Sequence, residues 1–335
     1  MCAGPTVTRA QISTEGPASI VVFPKVIAAG TRDTFIQISN VTNSTVYAQC
    51  WYVNGALLFP DLPPGPGNPP LWVTFDFTLT LTHNQPTNWV VSRGRPVDPL
   101  DPGCRANPDK FDCYGAGTDP GLVPAVVDGF EGALLCIQTD ASGAPFSGNA
   151  LIGEVTLNDG ASVDVSKYSG IGFTGFDTNN GDNTLVLGAE YSGCPQTWIL
   201  DHRTDGMEVA GVSGSQLRTD LTVMPCSNNF DTEIAETVTL QLSVIDEMEQ
   251  AYSASTIVTC WATISLSALN PVFMAVGTPT AQTRLRPSLT SGGFLIVAEE
   301  FRSTSGPDPV TASAAVNAYV EGVRASPDLI ITVSP

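Results

Sequence analysis

Short runs in which apolar and polar residues alternate, each closed by Gly, Pro, Asn or Asp, recur along the whole chain. This period of two constrains the fold more than any other feature. Thr34-Phe35-Ile36-Gln37-Ile38-Ser39 shows it, and so does Thr256-Ile257-Val258-Thr259-Cys260-Trp261-Ala262-Thr263-Ile264-Ser265-Leu266. Such a run gathers its apolar side chains on one face only when extended, because successive side chains of a strand point to opposite sides. Further strand-like runs span 19–27, 45–53, 71–82, 88–92, 132–139, 150–157, 184–189, 198–201, 217–224, 236–245, 293–298, 312–321 and 329–333. Val41-Thr42-Asn43-Ser44, Asn158-Asp159-Gly160 and Asn180-Gly181-Asp182 supply residues that tolerate the positive φ of tight turns. Composition agrees: 31 Gly and 26 Pro favour many turns over helices. Only Thr311 to Arg324 has helical composition, and its weak alternation leaves helix and strand both open there.

The predicted class is therefore all-β: two antiparallel β-sandwich modules, immunoglobulin-like or jelly-roll-like, with long Pro/Gly-rich loops. An internal duplication is suggested because the halves echo each other. Tyr47-Ala48-Gln49-Cys50-Trp51 is matched by Ile257-Val258-Thr259-Cys260-Trp261, and each is followed by an apolar strand, a Ser/Gly/Pro turn and an Asn-Ala strand start. The modules are placed at 1–165 and 166–335, meeting in the Gly-rich stretch 158–181; one larger sandwich with coincidental Cys-Trp pairs is the alternative. Trp51 and Trp261 are expected to fill core gaps.

With 42% hydrophobic residues the chain can bury a sizeable core. Charged residues make up only 14%, against about 25% in ordinary domains, yet 33 acids face 14 bases and leave a formal charge of −19. The bases are scattered singly, so no surface tracks phosphates and nucleic acid is excluded as a partner. The charge-free stretch from Ala251 to Thr283 alternates at period two and is broken at Asn270-Pro271, which argues against a transmembrane segment.

Eight cysteines with only two histidines, and no Cys-x-x-Cys, point to disulfides rather than zinc. Cys104 with Cys113 would close a short loop; Cys50 with Cys136 and Cys194 with Cys226 are strand staples, although spacing alone fixes no connectivity. Oxidising surroundings follow, hence an extracellular or cell-surface location with the periplasm as the alternative. Cys2 is either a lipid anchor or a cysteine used in a disulfide or left free.

The stretches Ala189-Glu190-Tyr191-Ser192-Gly193-Cys194-Pro195, Ile199-Leu200-Asp201-His202 and Val297-Ala298-Glu299-Glu300-Phe301, together with 34–53, resemble an uncharacterised group of exported β-rich proteins of environmental bacteria. The resemblance spans most of the chain. It implies export and a bacterial source, and brings no activity, ligand or catalytic residue with it.

No catalytic set emerges from the residues. Gly211-Val212-Ser213-Gly214-Ser215 lacks the second glycine of a nucleophile elbow, and only His83 and His202 offer an imidazole. Asp201-His202 is the better candidate, but strand neighbours face opposite sides. Glu299-Glu300 and Asp246-Glu247-Met248-Glu249 supply acids without the facing geometry of a glycosidase. Trp72 and Trp89 could stack on sugars or fill the core. For a cofactor, Ca²⁺ is the most credible: Asp177, Asn179 and Asp182 set hard oxygens in a Gly-containing loop, although Gly181 comes one place early for an EF-hand and residue 188 is Gly.

The function expected is a non-enzymatic exported structural or surface protein, a self-assembling filament or matrix subunit associating through sheet edges. A secreted glycan hydrolase or a carbohydrate-binding module is the alternative. The segment Pro17 to Ile27, with Lys25 its only charge, would either complete its own module or pair into the next subunit.

Overall fold

In the computed structural model, which describes residues 12–62, 67–96, 119–162, 164–208, 214–230, 232, 236–274, 278–288, 292–304, 311–321 and 330–333, the alternating runs are strands. The first part of the chain forms β1 (Ile20–Ala28), β2 (Arg32–Asn40), β3 (Val46–Asn54), β4 (Val73–Leu81), β5 (Pro86–Val90), β6 (Phe130–Thr139) and β7 (Leu151–Asp159). Next come β8 (Asp164–Ser169), β9 (Ile171–Phe173), β10 (Thr184–Val186), β11 (Thr197–Arg203), β12 (Ser215–Pro225), β13 (Asn228–Asn229) and β14 (Thr237–Asp246). The remainder supplies β15 (Ala251–Thr259), β16 (Ala262–Ser265), β17 (Thr280–Pro287), β18 (Phe294–Thr304), β19 (Thr311–Asn317), β20 (Tyr319–Glu321) and β21 (Ile330–Thr332). Helix among the described residues is confined to α1 (Leu266–Leu269) and a 3₁₀ turn at Pro271–Met274. The segment from 311 that the sequence left open between helix and strand is strand as far as residue 321.

The all-β class stands, but the two sandwich modules do not. The strands build five small sheets: β4-β3-β6-β1-β9, β5-β2-β7-β8, β15-β14-β17-β11-β20, β16-β12-β18-β19 and β10-β21-β13. Five small sheets is the count of a five-bladed propeller, with strand orders that cross over rather than run up and down. The expected boundary between residues 165 and 166 falls inside β8, and β9, beyond that boundary, pairs with β1.

The physical reason is the first of these sheets, which is buried on both faces. Val21 and Phe23 of β1, Cys50 and Tyr52 of β3, and Leu134 and Cys136 of β6 enter one core with Ile36, Trp89 and Val155. Their neighbours Ile20, Val22, Trp51, Val53, Leu135 and Ile137 point the other way. These enter a second core with Leu200, Val223, Leu240 and Ile296 from later in the chain. The first core is built almost entirely from residues before 166, with Tyr168 and Val297 added, whereas the second is shared by both halves; β1 and β6 carry near-continuous apolar runs because a strand covered on both sides has no solvent face.

A bulge in β1 ties the layers together. The β1–β6 register shifts between Phe23 and Val26, where Pro24 has no N–H to give the ladder. Tyr168 on β8 takes over: its hydroxyl accepts from the Lys25 N–H at 3.0 Å and donates to the Lys25 carbonyl at 2.6 Å. The Trp261 indole N–H donates to the Pro24 carbonyl at 2.6 Å, across 237 positions of sequence. The Lys25 side chain is fully buried against Glu299 of β18, Nζ to Oε2 at 2.9 Å. Arg32 reaches the other carboxylate oxygen at 2.5 Å. The edges of β8 and β19 are sewn by side chains, since Asn317 both donates to the Ser169 carbonyl and accepts from its N–H, and Asp164 accepts from the Ser313 N–H.

Candidate functional site

The chemically suggestive residues are mostly occupied in holding the fold. His202 is buried with both ring nitrogens engaged: Nδ1 lies 2.8 Å from the Arg203 carbonyl, to which it must donate, and Nε2 lies 2.7 Å from the Thr283 hydroxyl. Asp201 turns to the other face of β11 and accepts from the Gln282 amide. Glu299 is buried in the ion cluster at the β1 bulge, whereas Glu300 accepts from the Arg203 N–H. Burial alone would favour the protonated Glu299; Lys25 and Arg32 outweigh it and hold the carboxyl below the usual carboxylate range. Asp246 caps its own hairpin turn by accepting from the N–H groups of Met248 and Gln250, and Glu247 accepts from Thr280.

The two aromatic candidates for sugar stacking are core residues. Trp72 and Trp89 are 5% and 2% exposed. Trp89 donates its indole N–H to the Tyr52 hydroxyl at 2.6 Å and meets Phe77 edge to face. Trp51 stacks on Phe230 with centroids 5.3 Å apart.

The oxygen-rich loop proposed for Ca²⁺ is a nested set of Asx turns. Asn179 Oδ1 accepts from the Gly181 N–H, while its amide donates to Ser147 and Tyr191. Asp182 accepts from the Thr184 N–H and the Asn180 amide, and Asp177 is exposed. Among the described residues no group of three His, Cys, Asp or Glu side chains is placed to hold a metal ion.

Disulfides join Cys50 to Cys136, directly across β3 and β6, and Cys194 to Cys226. Cys104, Cys113 and Cys2 lie outside the described residues. Cys260, the counterpart of Cys50 in the echoed halves, is buried, outside any disulfide, and has its thiol pushed up by burial. Two disulfides suit an oxidising, extracytoplasmic compartment. No helix among the described residues is long and apolar enough to cross a membrane.

Among the described residues, one strand edge is left largely without partners. β15 pairs with β14 in register from Ala251↔Ile245 to Thr259↔Thr237 and ends its sheet. The flanking bonds fix which groups face outward. Asp246 donates to the Gln250 carbonyl and Cys260 to that of Glu236, so the even-numbered residues of β15 bond to β14. The backbone groups of Ala251, Ser253, Ser255, Ile257 and Thr259 therefore point away from the sheet. Two of the carbonyls have partners: Ser253 accepts from the Asn270 amide and Thr259 from the Trp261 N–H. The segment Ala251-Tyr252-Ser253-Ala254-Ser255-Thr256-Ile257-Val258-Thr259 has no charge and no proline, and Ile257 is 66% exposed on its solvent face. Proteins commonly blunt a long edge with lysine, proline or a bulge, and β15 uses none of these.

Among the described residues the other sheet ends are shorter than β15, engaged by neighbouring segments or, in the nine-residue β4, interrupted by the charge of Asp76. The β9 end exchanges backbone bonds between Gly172 and Ser13, and the β4 end receives Pro120 on the Thr80 N–H. β16 and β20 have only a few residues each. β1, for which the sequence left open pairing within its own chain or into a neighbour, lies between β6 and β9 of its own chain.

No family profile matches the chain, and no curated protein does so either. Among solved structures, a mutant of the CFA/I enterotoxigenic E. coli adhesin CfaE aligns over 96% of this chain and 95% of its own at 8% identity. Its TM-score of 0.13 makes that likeness uninformative about fold or function.

Proposed function

We propose that this chain is a non-enzymatic exported protein, a structural subunit at the outer cell surface or in the extracellular matrix, and that it associates through a sheet edge. The observation that carries the reading is β15, nine uncharged residues of which the outward backbone groups, apart from the Ser253 and Thr259 carbonyls, have no partner among the described residues. Support also comes from the buried polar side chains. His202, Glu299, Glu190 and Asp205 each spend their hydrogen bonds on backbone, hydroxyl or cationic groups of the fold. Two of the surface hollows carry polar groups that are already paired or solvated. One of about 250 Å³ is lined by Glu15, Gln37 and Glu154, the last paired with Lys167; one of about 310 Å³ contains the Arg95–Asp119 ion pair.

The test is made on protein recovered from its native cells. Fractionation followed by negative-stain imaging is expected to find it outside the cytoplasm in ordered assemblies. A polysaccharide panel is run beside it. Turnover of any polymer would replace this reading with the hydrolase, and binding without turnover by a monomer would replace it with a carbohydrate-binding module.

A further inference from the structure

The occupant of the β15 edge follows from its own sequence, and we propose that it is the same strand of a second copy, paired antiparallel about a two-fold axis through Ser255. This inference rests on the reading of the chain as a self-associating subunit and names the contact. An antiparallel pair must place outward-facing residues opposite outward-facing residues. On β15 these are Ala251, Ser253, Ser255, Ile257 and Thr259, spaced evenly about Ser255. Centring the axis there is the register that uses the whole strand: Ser255 meets its mate, Ser253 meets Ile257, and Ala251 meets Thr259. The Ser255 and Ile257 backbone groups and the Ser253 N–H are unengaged among the described residues. The Ser253 carbonyl keeps a second lone pair beside its bond to Asn270.

Side chains and charge favour the same partner. On the solvent face the pairing sets small or β-branched residues opposite one another, and Ile257 gains cover from the Ser253 of the other copy. Two molecules of charge −19 repel wherever acids meet, and β15 lets their backbones meet without one. The acids nearest in sequence, Asp246, Glu247 and Glu249, sit at the hairpin tip, and Glu236 lies beside the opposite end of the strand. The two-fold brings the tip of each copy toward the Glu236 end of the other, so association is expected to strengthen as salt screens these acids over a Debye length of about 8 Å. Joining two five-stranded sheets in this way gives a closed, isologous dimer, the unit from which any larger assembly would be built through another surface.

The test is sedimentation equilibrium of the full chain across concentration and salt, for the unaltered protein and three variants. Ser255→Pro removes an outward N–H that β14 does not use, and an edge strand tolerates proline there. Ser255→Lys and Ser255→Glu place like charges on the axis. The inference expects a salt-strengthened dimer whose dissociation constant rises about tenfold or more in each variant alone and recovers when the Lys and Glu variants are mixed. Circular dichroism confirms that each variant is folded; should the proline variant be unfolded, the charge pair decides alone. Association that is indifferent to all three variants would overturn the β15 contact and leave the assembling-subunit reading in place. A strictly monomeric chain at every concentration and salt would overturn both.

Discussion

Lys25 and Glu299 show how much of this fold depends on single side chains. Both are fully buried, 274 positions apart in the chain, and among the described residues Arg32 supplies the other charge in contact with Glu299. A buried ion pair adds little over apolar residues of the same shape, but removing one partner strands a charge in the core at a cost of about 3–5 kcal/mol. Because Arg32 stays on Glu299 when Lys25 is removed, Lys25→Met is expected to cost less than that, about 1–3 kcal/mol in denaturant titration, and a larger loss would show that Arg32 does not compensate. The pH dependence has a definite sign. Glu299 is held below the usual carboxylate range, so its stabilisation is fully present above the unfolded value of about 4.3 and is lost as pH falls toward the folded one. Glu299→Gln should flatten the stability profile in that acid window, and an unchanged slope would remove Glu299 from acid unfolding. The sequence flagged Lys25 as the sole charge in an apolar strand but offered no sign of its partner, because the pairing needs β18 to cross β1. Gly55 makes a similar point: a Cβ there would stand 2.6 Å from Trp261 Cβ, so Gly55→Ala should cost about 1–3 kcal/mol by overpacking.

At the level of elements, the alternating period was a reliable guide to where strands lie and a poor guide to how they pair. β2, β14 and β15 alternate in burial as they alternate in sequence. The informative departures were β1 and β6, Ile20-Val21-Val22-Phe23-Pro24-Lys25-Val26-Ile27-Ala28 and Phe130-Glu131-Gly132-Ala133-Leu134-Leu135-Cys136-Ile137-Gln138-Thr139, where continuous apolar runs mark strands covered on both sides. Pro24 within such a run was the sequence trace of the bulge. Because β1 sits between β6 and β9, deleting the residues before Gly30 should abolish the native far-UV spectrum rather than merely prevent association. A folded, monomeric deletion product would restore the donor-strand idea. The Cys50–Cys136 bridge spans neighbouring strands of the same sheet, with 86 positions between its ends. Replacing both cysteines by alanine is expected to cost about 2–5 kcal/mol in thermal or denaturant unfolding. The free edge of β15 was only half legible: its lack of charge was plain, but that it ends a sheet depends on β17, not β16, taking the other side of β14.

For the whole molecule, the echo between halves misled because it was read as two separate cores. Cys50-Trp51 and Cys260-Trp261 do recur, yet Trp51 and Trp261 belong to one and the same core, and Cys260 lacks the bridge that Cys50 makes. Ile20, Val22, Trp51, Val53, Leu135 and Ile137 would be bared on one face of their sheet if the later sheets were removed. An apolar face of that size is not left to solvent by a stable monomeric domain. The bulge at Pro24 adds polar dependence to the apolar one: without the second half, the Pro24 carbonyl loses Trp261, and Lys25 loses both Tyr168 and Glu299. Residues 1–165 would also part β8 from its C-terminal end, and with it the Tyr168 that satisfies the bulge. Calorimetry of the intact chain is therefore expected to give a single cooperative transition, with the van't Hoff and calorimetric enthalpies equal, while fragments 1–165 and 166–335 made separately should be unfolded or aggregated. Two resolved transitions, or a fragment with sharp cooperative melting, would mean that the shared core contributes packing without the energetic coupling argued from it, and that each half carries stability of its own.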